Sequence, residues 1–139
     1  GYTPFDGAEY DYYTTTKGIL EKVKTHAGDV DFEVQPELLS LFSNRDFGRY
    51  AGEKGEMNVC FISNNDITGG NSGSAMFNAR GELLGLAFDG NWEAMSSDIL
   101  YEPKMQRCIG VDVRYILFMI EKYGKAGDLI RELKIVSGK

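Results

Sequence analysis

A glycine-rich run with a central serine, residues 68–74 (Thr-Gly-Gly-Asn-Ser-Gly-Ser), interrupts a part of the chain that otherwise has the pattern of β-strands. Residues 59–63 before it and 75–77 after it are mostly apolar and include β-branched or aromatic side chains, which favour extended backbone. Glycine lets the chain turn sharply, so that neighbouring N–H groups can point to one spot. The sequence therefore predicts a tight turn that presents Ser72 between two strands.

The rest of the pattern predicts a mainly β chain that ends in helices. Strands are predicted at residues 8–16, 19–23, 59–63, 75–77, 82–88 and 105–110. Helices are predicted after Pro36, over residues 113–123 between an Asp112 cap and a Gly124 stop, and around residues 129–133. Because no parallel βαβ alternation occurs, we expect an antiparallel barrel or sandwich with C-terminal helices. The expected organisation is a single domain, with strands and loops over residues 1–110 and helices over residues 111–139.

Composition excludes several classes of function. The chain of 139 residues is long enough for one domain with a real core. Its net charge of −6 argues against a nucleic-acid partner, and no apolar run approaches the roughly 20 residues of a membrane span. Cys60 and Cys108 lie in apolar segments and are interpreted as buried free thiols, with a disulfide as the alternative. No His/Cys cluster has metal-ligand spacing, so neither a metal nor a cofactor is expected.

The serine turn suits a nucleophile that needs both a base and oxyanion donors. The candidate donors are the amides of Gly70 and Ser72, two residues apart. Taken alone, a flexible loop is the simpler interpretation, but flanking strands and the Gly-x-Leu-x-Gly-Leu pattern at residues 81–86 favour a hydrolase turn. An α/β-hydrolase elbow fits less well because it leads into a helix. A phosphate-binding loop fits less well because no Gly-Lys-Ser/Thr closes the run.

Four stretches of the chain carry a resemblance to a known family. They are residues 6–15 (Asp-Gly-Ala-Glu-Tyr-Asp-Tyr-Tyr-Thr-Thr), 67–74 (Ile-Thr-Gly-Gly-Asn-Ser-Gly-Ser), 85–93 (Gly-Leu-Ala-Phe-Asp-Gly-Asn-Trp-Glu) and 106–115 (Gln-Arg-Cys-Ile-Gly-Val-Asp-Val-Arg-Tyr). Together they closely resemble the bacterial dipeptidyl peptidases 7 and 11. The resemblance implies a trypsin-like serine exopeptidase with a double β-barrel and an added helical domain. Such enzymes remove dipeptides from free N-termini and lie in the periplasm or on the surface of Gram-negative bacteria. Ala75 departs from the proline that the family often carries, a change that sterics should tolerate.

The resemblance also implies roles for individual residues. Ser72 falls on the nucleophile, the amides of Gly70 and Ser72 fall on the oxyanion hole, and Asp89 falls on the acidic residue that receives the substrate's α-ammonium group. Gly90 falls on the position that shapes the pocket for the residue before the scissile bond. Acid-specific members carry arginine there, so glycine implies the dipeptidyl peptidase 7 type, with an apolar or broad preference. Without the resemblance, Asp89 and Gly90 are interpreted as a common turn pair.

The chain lacks a convincing catalytic base. Its one histidine, His26, stands in the polar segment 24–29 and is expected to face solvent without a catalytic role. Trypsin-like enzymes place His and Asp before Ser in chain order. We therefore expect the C-terminal, nucleophile-bearing barrel of a longer peptidase, inactive alone, whose partners are an oligopeptide substrate and the remainder of the parent chain. Self-association through an exposed apolar patch is a further expectation.

Three alternatives stay open at this point. The first is a non-enzymatic module of the trypsin fold that binds peptides. The second is an acid-specific dipeptidyl peptidase. The third is a structural all-β domain in which Ser72 lies in an ordinary loop.

Overall fold

The computed structural model describes residues 11–52, 54–96 and 104–137. Contacts between residues divide the chain into two compact units. The first, called the sheet unit, takes in Cys60–Val113 and the described residues up to Thr14. The second, called the helical unit, takes in Thr15–Val59 and the described residues from Arg114 onward. No helix of the described ranges combines the length and the apolar character that a bilayer crossing requires.

Five strands form one sheet, in the spatial order β1-β2-β5-β4-β3. They are β1 (Tyr13–Thr15), β2 (Asn58–Ser63), β3 (Ala75–Phe77), β4 (Leu83–Gly90) and β5 (Cys108–Asp112). The pairs β2/β5, β5/β4 and β4/β3 are antiparallel. This confirms a mainly antiparallel β fold followed by helices. Within the described residues the sheet is open, with β1 and β3 as its edges, so the predicted closed barrel is not seen there.

The predicted strand at residues 19–23 is wrong, because this segment belongs to helix α1 (Thr16–Thr25). Ile19, Leu20 and Val23 are half-buried, whereas the charged residues beside them are exposed. That distribution follows a helical period, which outweighs the β propensity of the branched side chains. Of the predicted strand over residues 8–16, positions 8–10 lie outside the described residues, and the extended part ends where α1 begins.

Phe61 on β2 packs over two glycines, one on the adjacent strand β5 and one on the next strand, β4. A Cβ atom on Gly110 of β5 would lie 2.7 Å from Phe61 Cζ and 2.7 Å from Met76 Sδ. A Cβ atom on Gly85 of β4 would lie 2.8 Å from Phe61 Cε1 and 2.1 Å from Val111 O. All four distances are shorter than packed atoms allow, so the Phe61 ring, the Met76 sulfur and the Val111 carbonyl occupy the space that side chains would need. The contact between Phe61 and Gly85 covers one face of β4, the strand that also contains Asp89 and Gly90.

The helical unit has an aromatic core. Its further helices are α2 (Pro36–Ser43), α3 (Val113–Phe118), which continues as a π-helical turn (Met119–Tyr123), and α4 (Gly127–Arg131). The Phe118 ring lies with its centroid 6.0 Å from that of Phe42 and 6.1 Å from that of Phe47, in the range of favourable aromatic pairs. The helices predicted after Pro36, over residues 113–123 and near residue 129 are thereby confirmed.

A polar cluster lies at the edge of this core. The hydroxyl of buried Tyr50 donates to a Glu121 carboxylate oxygen, and Arg49 lies with Nη2 3.1 Å from Glu121 Oε1. The hydrogen bond from Tyr50, assisted by the charge of Arg49, holds the pKa of Glu121 below its ordinary value. Burial, followed by the bond to Glu121, raises the pKa of Tyr50. The cluster therefore favours a charged Glu121 and a neutral Tyr50 in the folded chain.

Candidate active site

The serine turn connects β2 to β3 and is built from consecutive tight turns. The Asn71 amide donates to the Thr68 carbonyl at 3.2 Å, and the Ser74 amide donates to the Asn71 carbonyl at 2.9 Å. The Asn71 side chain closes the first turn, because its Oδ1 accepts from the Thr68 amide at 2.8 Å. Gly70 and Gly73 have φ values of +98° and +86°, a region that favours glycine. Ser72 stands between them and is exposed.

Two backbone hydrogen bonds tie this turn to β4. The Gly73 amide donates to the Ala87 carbonyl at 2.7 Å, and the Ala87 amide donates to the Ser74 carbonyl at 2.8 Å. The pairing extends the β3/β4 ladder beyond Ala75, where Ala75 faces Leu86. As a result Gly73, the residue after Ser72, is held against β4, the strand that contains Asp89.

Several amides of the turn are left unused by the fold. In the described part of the chain, the N–H groups of Gly69, Gly70 and Ser72 donate to no other group, whereas those of Asn71, Gly73 and Ser74 are all engaged. The unengaged amides include those of Gly70 and Ser72, the two candidate oxyanion donors named from the sequence. Two unengaged donors beside an exposed hydroxyl are suited to bind a group that carries negative charge.

Ser72 shares a pocket with the two other residues that the sequence selected. The pocket has a volume of about 260 Å³. Its lining residues are Ile67, Thr68, Gly69, Asn71, Ser72, Ala87, Phe88, Asp89, Gly90, Asn91 and Ala94. Gly70 is not part of the lining, although both of its neighbours are. No Lys, Arg or His occurs among the described residues that line the pocket. The carboxylate of Asp89 therefore has no cationic side chain beside it within that lining.

Asp89 and Gly90 lie in the last part of β4, where they face Ile109 and Cys108 of β5. The alternative that they form a turn pair is therefore wrong. A register shift between Ala87 and Asp89 marks a bulge, and it leaves the adjacent side chains of Phe88 and Asp89 both exposed. The Asp89 Oδ1 atom accepts from the Gly90 amide at 2.7 Å. One carboxylate oxygen is thus oriented by the backbone, and the exposed group can accept further hydrogen bonds.

Asn91 is a residue of the site that sequence reasoning missed. Its Nδ2 donates to Glu93 Oε2 at 2.7 Å and to the Met105 carbonyl at 2.8 Å. Its Oδ1 accepts from the Arg107 amide at 2.8 Å. These bonds join the end of β4 to the segment that leads into β5, and so they fix the wall of the pocket. An asparagine after Asp-Gly has the pattern of a turn, and nothing local in the sequence indicates partners 14 and 16 residues away.

His26 belongs to the helical unit and lies at the end of α1. Its ring stacks on Phe32, with centroids 4.0 Å apart, and its Nδ1 lies 2.9 Å from Thr25 Oγ1 and 3.2 Å from the Lys22 carbonyl. The residue is half-buried, so the predicted solvent-facing position is wrong. The reason is the stacking contact, which covers one face of the imidazole.

Both cysteines are free, as predicted, but only Cys108 is also buried as predicted. Cys108 is buried beside Met76 and Ala87, and Cys60 is half-buried on β2. Burial raises the pKa of both thiols. Because the thiolate is the reactive form, neither cysteine is suited to nucleophilic chemistry.

Comparison with known proteins decides the family. The model of the peptidase S46 family matches residues 1–135. The chain belongs to the peptidase S46 family. This S46 chain is 58% identical over 138 residues to dipeptidyl-peptidase 7 of Porphyromonas endodontalis, covering 99% of the chain and 16% of that protein. It is 57% identical over 136 residues to dipeptidyl-peptidase 7 of Porphyromonas gingivalis, covering 98% of the chain and 19% of that protein.

Acid-specific relatives and solved structures match the S46 chain as well. The Asp/Glu-specific dipeptidyl-peptidase of Capnocytophaga gingivalis is 46% identical over 136 residues, covering 98% of the chain and 19% of that protein. The crystal structure of Porphyromonas endodontalis DPP11 in complex with the dipeptide Arg-Glu matches with a TM-score of 0.89 at 43% identity, over 95% of the chain and 19% of that protein. The chain therefore spans less than a fifth of the length of these relatives. The predicted resemblance to dipeptidyl peptidases 7 and 11 is confirmed.

Proposed function

We propose that this chain is the nucleophile-bearing part of a serine-type dipeptidyl peptidase, which releases dipeptides from the free N-terminus of oligopeptides. The observation that carries the proposal is the pocket that Ser72 shares with Asp89. A peptidase that counts two residues from a positively charged terminus needs a carboxylate at a fixed distance from its nucleophile. The hydrogen bonds between residues 73–74 and Ala87 supply that fixed distance.

In the proposed reaction, the Ser72 hydroxyl attacks the carbonyl carbon of the second substrate residue. The amides of Gly70 and Ser72 hold the oxygen as it gains negative charge. The C–N bond then breaks, and the amine leaves with the rest of the peptide and with the proton that Ser72 gave up. Water hydrolyses the resulting ester on Ser72, which releases the dipeptide and restores the hydroxyl. Asp89 receives the α-ammonium group of the substrate through a charge-assisted hydrogen bond. The base that takes the Ser72 proton, and the acid that orients that base, come from the remainder of the parent chain.

The proposal includes the architecture of the parent enzyme. We infer that the sheet described above belongs to the second barrel of a trypsin-like double barrel, completed by the remainder of the parent chain. The open edges at β1 and β3 support this, because an open antiparallel sheet leaves backbone donors and acceptors without partners at its edges. We place the enzyme in the periplasm or on the surface of a Gram-negative bacterium.

For specificity, we propose an apolar or broad preference at the second substrate residue. The support is the lining next to Gly90, where the described side chains are apolar or uncharged apart from Asp89. The identities of 49–58% to proteins named dipeptidyl-peptidase 7, against 43–46% to the Asp/Glu-specific proteins, point the same way. The test is kcat/KM of the full-length protein on X-Leu and X-Phe reporters against X-Asp and X-Glu reporters. A preference for the acidic reporters would make the acid-specific alternative correct.

The reaction itself is tested by Ser72→Ala in the full-length protein, with Ser74→Ala as the matched control from the same exposed turn. We expect Ser72→Ala to lower kcat on the order of 10⁴-fold or more and to abolish labelling by a fluorophosphonate, and Ser74→Ala to retain both. If the unsubstituted protein binds dipeptides without turnover or labelling, the chain belongs to a peptide-binding module instead.

A further inference from the structure

The glycine at position 90 is required by space and not by backbone conformation. Its φ lies outside the left-handed region that Gly70 and Gly73 occupy, so a residue with a side chain could adopt the same backbone. A Cβ atom built there, however, would lie 2.9 Å from the Cβ atom of Ala94. The methyl group of Ala94 therefore already fills the volume next to Gly90.

Ala94 cannot easily move away from Gly90. It stands in the short 3-10 turn Trp92–Ser96, and its amide donates to the Asn91 carbonyl at 2.9 Å. Asn91 is in turn held by its side-chain bonds to the Met105 carbonyl and the Arg107 amide. A methyl group attached directly to such a backbone has no rotamer that would open the contact, unlike the end of a long side chain.

Ile67 also borders the space over Gly90. The Cβ position of Gly90 is 4.0 Å from Ile67 Cδ1, and Ile67, Gly90 and Ala94 all line the pocket that contains Ser72. A side chain that enters over Gly90 therefore has both the Ile67 side chain and the Ala94 methyl group as neighbours.

We propose that Ala94 is a specificity-determining residue, whose methyl group limits the width of the substrate side chain that the pocket accepts before the scissile bond. The inference rests on the proposed function, since it assigns the space over Gly90 to the second residue of the substrate. The ligand class it implies is a peptide whose second side chain is apolar. Widening at position 94 favours aromatic side chains, and added bulk favours small ones.

The test uses the full-length protein with Ala94→Gly and Ala94→Val, and dipeptidyl reporters that end in Ala, Leu or Phe. We expect Ala94→Val to lower the ratio of kcat/KM for X-Phe to that for X-Ala by at least about tenfold, since methyl groups in such pockets discriminate on this scale. Ala94→Gly should raise the same ratio. The controls are Ala79→Val and Ala79→Gly in the exposed connection between β3 and β4, which should leave the ratio unchanged.

A second measurement keeps the contact testable if Ala94→Val does not fold. Gly90→Ala should lower the thermal midpoint, and Ala94→Gly should restore part of that loss in the double variant, whereas Ala79→Gly should not. Additive effects of Gly90→Ala and Ala94→Gly would show that the two positions do not touch, and the proposal would fall. The proposal would also fall if the Ala94 variants changed kcat/KM by the same factor for all three reporters. That result would leave the proposed peptidase function intact. Absence of dipeptidyl turnover by the unsubstituted protein would overturn both.

Discussion

The Gly73 amide donates to the Ala87 carbonyl at 2.7 Å, so the turn that carries Ser72 is fastened to the strand that carries Asp89. Ala87 returns the bond through its own amide to the Ser74 carbonyl at 2.8 Å. A pair of bonds of this kind fixes both translation and tilt of the turn against the strand. The separation between the hydroxyl and the carboxylate is therefore a property of the sheet.

Asp89→Asn should weaken binding of substrates with a free N-terminus. The amide oxygen can still accept from the Gly90 amide, as the carboxylate oxygen does, so the strand should keep its shape. The charge-assisted bond to an ammonium group is lost, and such bonds are worth roughly 1.5–3 kcal/mol. We expect kcat/KM to fall about 10- to 150-fold, chiefly through KM, in steady-state assays of the full-length protein. An unchanged KM would remove the ammonium-binding role.

Gly70→Ala should impair the serine turn, and Gly69→Ala should not. Neither glycine has an atom within 4 Å of an added Cβ, so space does not separate them. Gly70 has φ of +98° and Gly69 has no such strained value. An alanine at position 70 costs about 1–2 kcal/mol in that conformation and shifts the amide that we propose as an oxyanion donor. The measurement is kcat for both variants, and equal losses would indicate that backbone conformation is not the cause.

The isolated chain should not react with a fluorophosphonate at Ser72. The pocket lining in the described residues contains no histidine, and a serine hydroxyl without a base is a weak nucleophile. Labelling of the 139-residue chain and of the full-length protein can be compared by mass spectrometry. Rapid labelling of the isolated chain would show that it supplies its own base, and His26→Ala would then identify or exclude the one histidine.

Tyr50→Phe should destabilise the helical unit at neutral pH more than at acidic pH. The folded pKa of Glu121 is lowered, first by the Tyr50 hydrogen bond. Its stabilising effect is therefore present above the unfolded value of about 4.3 and is lost as pH falls through the folded value. Hydrogen exchange of segments spanning Gly48–Tyr50 and Met119–Tyr123, corrected for intrinsic rates, should show a larger effect at pH 7 than at pH 3. Tyr123→Phe serves as the control, and a pH-independent difference would contradict the linkage.

The positions of most elements could be predicted from the sequence, because their signals are local. Pro36 begins a helix, Gly124 ends another, and strands flank the glycine-rich turn. Residues 19–23 were predicted wrongly because their β-branched side chains favour a strand in isolation. In the folded chain, partial burial of the apolar side chains along one face of the segment favours a helix. Local propensity carries no information on which side of a segment the rest of the fold will cover.

In the candidate site, too, some residues could be predicted from the sequence and others could not. Ser72, Asp89 and Gly90 were selected from motifs, and the structure brings them to one pocket. The Asn91 bridge and the contact between Gly90 and Ala94 could not be predicted, since both depend on the path of the segment after β4. The pattern Asp-Gly-Asn indicates a turn, but pairing with β5 keeps Asp89 and Gly90 in the strand.

The engaged and unengaged amides of the serine turn have a thermodynamic consequence. The amides of Asn71, Gly73 and Ser74 maintain the shape of the turn, so those of Gly70 and Ser72 are not needed to hold it together. A group that binds to them replaces solvent and breaks no internal bond. The turn can therefore keep the same conformation before and after negative charge develops on a group bound to these two amides. Stabilising that charge then adds little reorganisation energy.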